Sequence, residues 1–269
     1  MPELPEVETT RKGIEPFLHA QTILMIIVRN GQLRWPVSEE IGLLRSAQVN
    51  TLLRRGKYII LEFAQGAILI HLGMSGSMRV VEASEPLKTH DHLLFELNGG
   101  KQIRFNDPRR FGSVLWTRDW QNHPLISSLG PEPLSEAFDA RYLYELAKKR
   151  SVAVKQFIMN SQVVVGVGNI YANEALFLSG IHPKRAACRI SLARMENLVA
   201  NIKHVLSKAI EQGGTTLRDF VGSDGKPGYF QQQLFVYGRA GEPCKRCAQE
   251  LKEIRMNNRS TVFCSKCQT

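Results

Sequence analysis

Four cysteines near the end of the chain constrain its folding more than any other sequence feature. Cys244 and Cys247 form one C-x2-C pair, Cys264 and Cys267 form another, and 16 residues separate the two pairs. This spacing is typical of four-thiolate zinc sites, in which two pairs of sulfur atoms surround one tetrahedral ion. Two disulfides are the alternative, and a reducing compartment disfavours them. The pattern therefore predicts one structural Zn2+ per chain.

The segment between the two cysteine pairs predicts a β-hairpin. Residues 251–256 and 259–263 flank Asn257 and Asn258, a dipeptide that favours a tight turn. The hairpin and its flanks carry six cations, namely Lys245, Arg246, Lys252, Arg255, Arg259 and Lys266. We expect this basic, metal-bound hairpin to lie along a nucleic-acid groove or backbone.

The charge balance of the whole chain also favours a polyanionic partner. The 269 residues include 35 Lys and Arg against 25 Asp and Glu, which gives a net charge of +10. Because neutralised phosphates release counterions, such an excess favours nucleic-acid binding. A basic surface that only keeps the protein in solution is the alternative. Charge by itself leaves both interpretations open.

The chain shows no sequence signal for a membrane span or a secretory leader. Its longest purely apolar run covers Ile23–Val28, whereas a membrane helix needs about 20 residues. The first ten residues are acidic and lack the apolar stretch of a signal peptide. We therefore expect a cytoplasmic protein that is associated with the nucleoid when bound to DNA.

The first half of the chain predicts a helix followed by many short strands. The helix has Pro5 near its first turn and an apolar stripe of Val7, Ile14, Phe17 and Leu18. Strands are predicted, between turn signals, at residues 23–28, 58–63, 67–72, 92–97 and 102–105. Several short strands at close spacing indicate an antiparallel sandwich or barrel.

The composition changes after residues 129–133, whose Leu-Gly-Pro-Glu-Pro sequence predicts a linker. Residues 136–212 indicate helices, and the clearest of them begins after Ser191, a good N-cap, and ends before Gly213. The fold class is therefore α+β and multidomain: a β-domain, a helical domain and a zinc hairpin. Cys188, outside the two cysteine pairs, is predicted to be a buried, inert thiol.

The N-terminus is the first segment that could carry chemistry. Removal of Met1 leaves Pro2 with a secondary amine, and an α-amino group titrates near about 8, so a neutral nucleophilic fraction exists. Attack on the anomeric carbon of a sugar gives an iminium, an electron sink that eases β-elimination. Glu3 and Glu6 supply carboxylates for acid–base work. The alternative is an ordinary start with a proline at a helix entrance.

A glycine-rich segment, Gly166–Asn169, precedes a helix predicted over residues 170–176. Glycines let a backbone approach a phosphate closely, and the N–H groups at a helix start bind anions. The alternative is a flexible turn followed by a helix cap at Asn169.

Residues 107–112 form a second candidate contact surface, with Arg109 and Phe111 after a strand. Arg can read base edges or fill a vacated stack, and Phe can wedge between bases. Met74, on a glycine-rich turn at residues 71–76, could protrude in the same way. For Phe111 and Met74 the alternative is core packing.

Together these segments resemble the bacterial formamidopyrimidine-DNA glycosylase family along the whole chain. The matching motifs are PELPEVE at the start, RRGKY at 54–58, HLGMSGS at 71–77, DPRRFG at 107–112, VVGVGNIYANE at 164–174, SDGKPGYF at 223–230 and the ending FCSKCQ. The resemblance implies a β-sandwich with an N-terminal helix, a helical domain with a helix–two-turn–helix, and a β-hairpin zinc finger. With it, the domains are expected at residues 1–130, 131–232 and 233–269.

The resemblance implies catalytic roles at both ends of the chain. Pro2 is the implied Schiff-base nucleophile that attacks C1′ of the damaged nucleotide. Glu3 is the implied general acid/base for base loss and ring opening, and Glu6 supports the N-terminal geometry. Lys57 is implied to hold a backbone phosphate and to assist β-elimination. Arg259 is implied to contact phosphate at the lesion and to assist δ-elimination.

The resemblance also implies a set of DNA contacts. The residues that hold DNA are His90, Arg109, Arg150, Lys155 and Asn169. The gap left by the flipped lesion is filled by Met74, Arg109 and Phe111, with Arg109 reading the opposite cytosine. The loop at residues 215–230 is expected to close over the flipped base. The implied partner is double-stranded DNA with oxidised purines, cut on both sides of the sugar by a monomer that needs no redox or nucleotide cofactor.

Two competing interpretations remain. An endonuclease VIII-type glycosylase shares the fold and the N-terminal chemistry but acts on oxidised pyrimidines. The PELPEVE start, Met74 and the Arg109–Phe111 pair favour the purine enzyme. A catalytically silent DNA-binding protein with a zinc ribbon explains the charge and the cysteines but leaves Pro2, Glu3 and Lys57 without a role.

Overall fold

The computed structural model describes residues 2–214 and 233–269, which form two compact units. The first unit contains the described residues up to Ser127 together with residues 212–214. The second contains Ser128–Glu211 and the described residues from Gln233 onward, so the cysteine hairpin shares a unit with the helices. The division into three domains with the expected boundaries stays a prediction.

The first unit opens with helix α1 (Leu4–Leu18), which confirms the predicted N-terminal helix. Val7, Ile14 and Leu18 are buried along one stripe, whereas Phe17 is only partly buried beside it. Pro5 occupies the first turn, where its missing N–H costs no intrahelical hydrogen bond.

The rest of the first unit consists of two antiparallel sheets and two short helices. Their bounds are β1 (Thr22–Val28), α2 (Glu39–Leu43), β2 (Arg45–Gln48), β3 (Thr51–Arg55), β4 (Tyr58–Phe63), β5 (Gly66–His71), β6 (Ser77–Glu82), β7 (Asp91–Leu97), β8 (Lys101–Asn106), β9 (Ser113–Thr117) and α3 (Pro124–Ser127). One sheet has five strands in the order β2-β1-β7-β8-β6, and the other has four in the order β3-β4-β5-β9.

The two sheets pack face to face around one core. Ile26 and Phe95 enter this core from the five-stranded sheet, and Ile59 and Ile70 enter it from the four-stranded sheet. Within the described residues each sheet is open, with no pairing between the sheets. The architecture is therefore a β-sandwich, and the barrel alternative is wrong.

The second unit is helical and contains a helix–two-turn–helix. Its helices are α4 (Ala140–Ala147), α5 (Val154–Ile158), α6 (Asn169–Leu178) and α7 (Leu192–Glu211). Asp139 caps α4 by accepting the Tyr142 N–H at 2.7 Å. Two turns join α5 to α6, and nearly every side chain of α6 is buried. The helix predicted after Ser191 is confirmed as α7.

The C-terminal hairpin forms as predicted, from β10 (Lys252–Met256) and β11 (Arg259–Phe263). Asn257 and Asn258 have φ of 49° and 58°, the left-handed pair that a type I′ turn requires. Val262 and Leu251 pack with Phe177 of α6 in the small core that holds the cysteines.

Two further observations concern single features. Cys188 is exposed, so the prediction of a buried thiol is wrong; its neighbour Ala187 takes the buried position in a one-turn helix. Along the described parts of the chain, we find no helix with both the length and the apolar character needed to span a membrane.

Candidate functional site

The N-terminus places two carboxylates at the start of α1. Glu3 is the N-cap residue, and its N–H donates to Oε2 of Glu6 at 2.9 Å in a reciprocal capping box. Both carboxylates are buried, at 2% and 0% exposure, and Pro2 beside them is also buried. Gly214 lies so close that a Cβ there would come within 3.1 Å of Oε1 of Glu6. The capping box thus fixes the backbone of Glu3, directly after Pro2, at the start of the helix.

Lys57 lies in the tight turn between β3 and β4, next to His71 at the end of β5. Residues Tyr58 and His71 pair across the strands, and their rings are 4.9 Å apart. Nδ1 of His71 accepts the Gly73 N–H at 3.0 Å, which leaves the ring proton on Nε2. Burial, together with the positive charges of Lys57 and Arg34, lowers the pKa of His71 to about 4.

His71 is a functional candidate that sequence reasoning missed, although it opens the HLGMSGS motif. At neutral pH its uncharged ring is a hydrogen-bond donor beside the Lys57 cation. A neutral donor within the electrostatic influence of an ammonium group suits an anionic oxygen, such as that of a phosphate.

Two loops carry the residues expected to fill a gap in DNA. The turn at 72–76 follows β5, and the loop at 107–112 precedes β9, its hydrogen-bonded neighbour. Phe111 is 45% exposed, and the Arg109 guanidinium lies 5.0 Å from the centre of its ring. Met74 is half-buried. Core packing is therefore the wrong interpretation for Phe111, whose ring faces solvent under a cation.

His90 is exposed at the end of the segment that leads into β7. The next residue, Asp91, is buried and forms an ion pair with Arg104. Oδ2 of Asp91 lies 3.6 Å from Nη1 of Arg104. Burial raises the pKa of Asp91, but the hydrogen bond from the Lys88 N–H and the nearby guanidinium groups outweigh burial, so the pKa is lowered. Asp91 is therefore an anion at neutral pH and keeps the His90 segment ordered.

In the second unit, Lys155 is a buried residue that connects the helices to the hairpin through hydrogen bonds. It is 2% exposed, and its Nζ donates to Oδ1 of Asn169 at 2.6 Å, Oγ1 of Thr261 at 2.6 Å and the Ser260 carbonyl at 3.1 Å. Nδ2 of Asn169 donates to that same carbonyl at 2.9 Å. The direct DNA contact expected of Lys155 stays a prediction. Its ammonium group already donates to three protein acceptors.

The structure excludes one of the two interpretations of the residues at the start of α6, namely a cap at Asn169. The N-cap is Gly168, not Asn169, whose side chain instead bonds to Lys155 and the hairpin. The cap interpretation of Asn169 is therefore wrong.

A cavity of about 260 Å³ opens beside these residues, lined by Lys155, Gln156, Met159, Asn160, Met256, Asn257 and Arg259. Arg259 is exposed at its edge, and Arg150 is exposed before α5.

The four paired cysteines fit a zinc ion. Their sulfur atoms all lie within 4.8 Å of one another. Sγ of Cys247 is 3.5 Å from Sγ of Cys264, and Sγ of Cys244 is 4.0 Å from Sγ of Cys267. A tetrahedral zinc–thiolate site requires sulfur separations of about 3.8 Å. All four are free thiols, so the disulfide alternative is wrong.

Glu174 is a buried residue that sequence reasoning did not single out. Its carboxylate accepts the backbone N–H groups of Phe235, Val236 and Tyr237 at 2.8, 2.9 and 2.8 Å. Burial raises its pKa in spite of these bonds. Glu174 fixes the chain that enters the cysteine hairpin onto α6.

The candidate residues divide between the two units. The first unit contains Pro2, Glu3, Lys57, Met74, His90, Arg109 and Phe111. The second contains Arg150, Lys155, Asn169, Arg259, Cys244, Cys247, Cys264 and Cys267. The loop at 215–230, expected to close over a flipped base, lies outside the described residues.

Family models match three segments of the chain. They are the formamidopyrimidine-DNA glycosylase N-terminal domain at residues 1–114, the formamidopyrimidine-DNA glycosylase H2TH domain at residues 129–221, and the zinc finger found in FPG and IleRS at residues 241–269. Together they span the β-sandwich, the helix–two-turn–helix and the cysteine hairpin.

Full-length relatives and solved structures match as well. A formamidopyrimidine-DNA glycosylase of Marinobacter nauticus is 59% identical over 269 residues and the full length of both chains. The Lactococcus lactis Fpg in complex with DNA containing an abasic site is 33% identical, with a TM-score of 0.91 and 99% of each chain covered. A structure of MutM in complex with DNA containing carbocyclic 8-oxo-G is 33% identical, with a TM-score of 0.89 and 100% of each chain covered.

Proposed function

The chain belongs to the formamidopyrimidine-DNA glycosylase family, and from this membership we propose that it excises oxidised purines from duplex DNA and cuts the resulting abasic strand. The observation that carries the proposal is the match along the whole chain to a relative of that name at 59% identity. The abasic-site and 8-oxo-G complexes of its structural relatives support both the base-removal and the strand-cutting steps.

Pro2 is the proposed nucleophile. With Met1 removed, its secondary amine attacks C1′ of the damaged nucleotide, and the N–C1′ bond forms as the damaged base departs. Opening of the sugar ring then gives an iminium, which is the electron sink for the following eliminations. The position of Pro2 supports this role, because it directly precedes Glu3, the N-cap residue of α1.

Glu3 is the proposed general acid/base of base loss and ring opening. Its backbone is fixed by the capping box with Glu6, so its carboxyl group stays beside Pro2. Glu6 therefore acts on geometry, through the Glu3 N–H, and takes no proton in the reaction.

Lys57 and Arg259 are proposed to act in the eliminations. Loss of a C2′ proton sends an electron pair toward the iminium and expels the 3′ phosphate, and a second elimination expels the 5′ phosphate. Lys57, with the neutral His71 next to it, holds a backbone phosphate and assists the first proton transfer. Arg259, exposed at the hairpin turn, binds phosphate at the lesion and assists the second elimination.

The remaining predicted contacts hold the duplex. His90 and Arg109 of the first unit, and Arg150 and Asn169 of the second, are proposed to bind DNA. Lys155 is proposed to support the second unit's part of this contact through Asn169 and the hairpin. Met74, Arg109 and Phe111 fill the gap left by the flipped nucleotide, which recovers part of the stacking energy that flipping costs. The exposed Phe111 ring under the Arg109 guanidinium supports this proposal.

The zinc ion has a structural role in this scheme. Cys244, Cys247, Cys264 and Cys267 hold it and leave no open position for substrate, so bound zinc fixes the hairpin and its cations. We further propose that the protein acts as a monomer on DNA, in the cytoplasm, where the nucleoid supplies its substrate.

Cleavage of two lesion duplexes tests the proposed function. One duplex carries 8-oxoguanine opposite cytosine, and the other carries thymine glycol. We expect cleavage of the first, with phosphate left on both sides of the gap. Preference for thymine glycol would assign the protein to oxidised pyrimidines, and no cleavage of either would indicate a silent DNA-binding protein.

A further inference from the structure

A buried carboxylate, Asp107, connects the two loops that carry the gap-filling residues. Asp107 is 0% exposed. The Ser75 hydroxyl donates to its Oδ1 at 2.6 Å, and the Gly112 N–H donates to its Oδ2 at 2.8 Å. The Arg109 N–H in turn donates to Oγ of Ser75 at 3.2 Å. Ser75 of the first turn thus bonds to Asp107 and Arg109 of the other loop, and the Asp107 carboxylate also bonds to Gly112 at the far end of its own loop.

The backbone of Asp107 is held as firmly as its side chain. Its N–H donates to the His90 carbonyl at 3.1 Å, and its carbonyl accepts from Nε2 of His92 at 2.9 Å. His92 is buried at 4% exposure. Asp107 therefore also connects the loop at 107–112 to the segment that presents His90.

Beside these hydrogen bonds, the backbones of the two segments also approach each other closely at two glycines. Gly73 has φ of +63°, and a Cβ there would lie 2.3 Å from the carbonyl carbon of Phe111. A Cβ on Gly112 would lie 2.8 Å from the His71 carbonyl oxygen. The hydrogen bonds of Ser75 and Asp107 act together with these backbone contacts and with the pairing of β5 and β9 to fix the relative position of Met74 and Phe111.

We propose that Asp107 and Ser75 are positioning residues that hold Met74, Arg109 and Phe111 as one preorganised group for insertion into the DNA stack. This inference rests on the proposed function. Side chains that enter a duplex on independent loops lose conformational freedom on binding, whereas a preorganised group has already lost it. Discrimination of the opposite base then depends on Ser75, which touches no DNA in this scheme.

The test replaces Ser75 by alanine and uses Ser113→Ala as its control. Ser113 is 1% exposed, and its hydroxyl has no hydrogen-bond partner among the described residues, so the control deletes a buried hydroxyl without breaking a contact. Each variant is assayed on duplexes with 8-oxoguanine opposite cytosine or adenine, and on a single-stranded abasic oligonucleotide. The single strand has no stack and no opposite base to recognise.

We expect Ser75→Ala to lower kcat/KM on the 8-oxoguanine–cytosine duplex about tenfold, the order of magnitude of one buried hydrogen bond. The preference for cytosine over adenine should shrink, and cleavage of the abasic single strand should match that of Ser113→Ala. In a Phe111→Ala background the effect of Ser75→Ala should be smaller than in the wild type, since the part that acts through Phe111 is already lost.

Equal duplex activities of Ser75→Ala and Ser113→Ala would overturn the inference while leaving the proposed function intact. An equal loss on the single strand and on the duplex would also overturn it, because that pattern indicates general damage to the fold. Wild-type protein that leaves the 8-oxoguanine duplex uncut would instead refute the proposed function, and the inference with it.

Discussion

Glu3 owes its chemistry to its position one residue after a potential nucleophile and at the first turn of a helix. The Glu3 N–H is bound to Glu6, and the side chain is almost fully buried. A carboxyl group held in this way can deliver a proton to a departing base without first reorganising. The proposed role of Glu3 therefore predicts that base removal and strand cutting respond differently when Glu3 is replaced.

Replacement of Glu3 by glutamine should separate these two steps. We expect excision of 8-oxoguanine to fall by about 10²–10⁴-fold, the usual contribution of general acid–base catalysis. A preformed abasic site already lacks its base, so cleavage there should fall much less. Quench-flow assays on both substrates measure the difference, with Glu8→Gln as the control on the same helix. Equal losses on both substrates would contradict the role of Glu3 in base loss.

His71 should remain neutral across the physiological range. Its burial near Lys57 and Arg34 lowers the pKa to about 4, so the ring protonates far below the pKa of about 6.5 in an unfolded chain. Between these values the unfolded state binds more protons, and the free energy of unfolding should therefore rise with pH from 4 to 6.5. Histidine NMR titration measures the pKa; a midpoint near 6.5 for His71 would refute this description.

For single residues, the sequence predicts which groups are reactive better than it predicts which residues are buried or hold other groups in place. Residue types and spacing pointed to Pro2, Glu3 and the cysteine ligands, because their chemistry is local. Asp107 was not identified, since its partners Ser75, in a turn, and His92, in a strand, are distant from it in the sequence. Cys188 was assigned to the core because thiols are usually buried, but in its short helix the neighbouring alanine faces inward.

At the element scale, the hairpin and the helix–two-turn–helix form one structure through Lys155. A lysine with three acceptors is satisfied inside the protein and has no donor left for phosphate. Arg150, in contrast, is exposed. The two cations therefore contribute to DNA binding in different ways.

Salt dependence should distinguish Arg150 from Lys155. If Arg150 neutralises one phosphate, Arg150→Ala should reduce the slope of log K against log salt by about 1. Lys155→Met should weaken DNA binding by loosening the hairpin and leave the slope unchanged. Fluorescence anisotropy over a salt series measures both slopes. A slope reduced equally by both substitutions would show that Lys155 contacts phosphate directly.

Removal of zinc should unfold the hairpin selectively. The core around the cysteines is small, and metal binding supplies much of the folding free energy of such sites. Chelation with mild thiol modification should release about one zinc ion per chain and weaken DNA binding strongly. A chromogenic chelator quantifies the released metal, and reduction followed by added Zn2+ should restore binding. Unchanged affinity after zinc loss would contradict the role of the hairpin.

The elements that sequence patterns predicted are those with strong local signals. The hairpin had its Asn-Asn turn, and the central strands β4 and β5 had continuous apolar runs. Strand β2, with the sequence RSAQ, gave no such signal because it lies at a sheet edge with only Ala47 buried. Edge strands owe their conformation to backbone pairing with a neighbour, which no local pattern reveals.

At the scale of the whole molecule, composition and architecture agree. The net charge of +10 fits a protein whose partner is a polyanion, and the sandwich and helical units each bury their own core. The predicted order of a β-sandwich, a helical part and a cysteine hairpin is confirmed. The choice between sandwich and barrel required the strand order, since both folds are built from short antiparallel strands.

Borohydride trapping tests whether the N-terminal proline forms the covalent bond to DNA. The Met-processed protein is reduced with borohydride on the 8-oxoguanine–cytosine duplex, digested, and mapped by mass spectrometry. We predict that the sugar is attached to the nitrogen of Pro2, and that Pro2→Gly abolishes or cripples strand cleavage. Attachment at a lysine such as Lys57, with normal cleavage by Pro2→Gly, would contradict it.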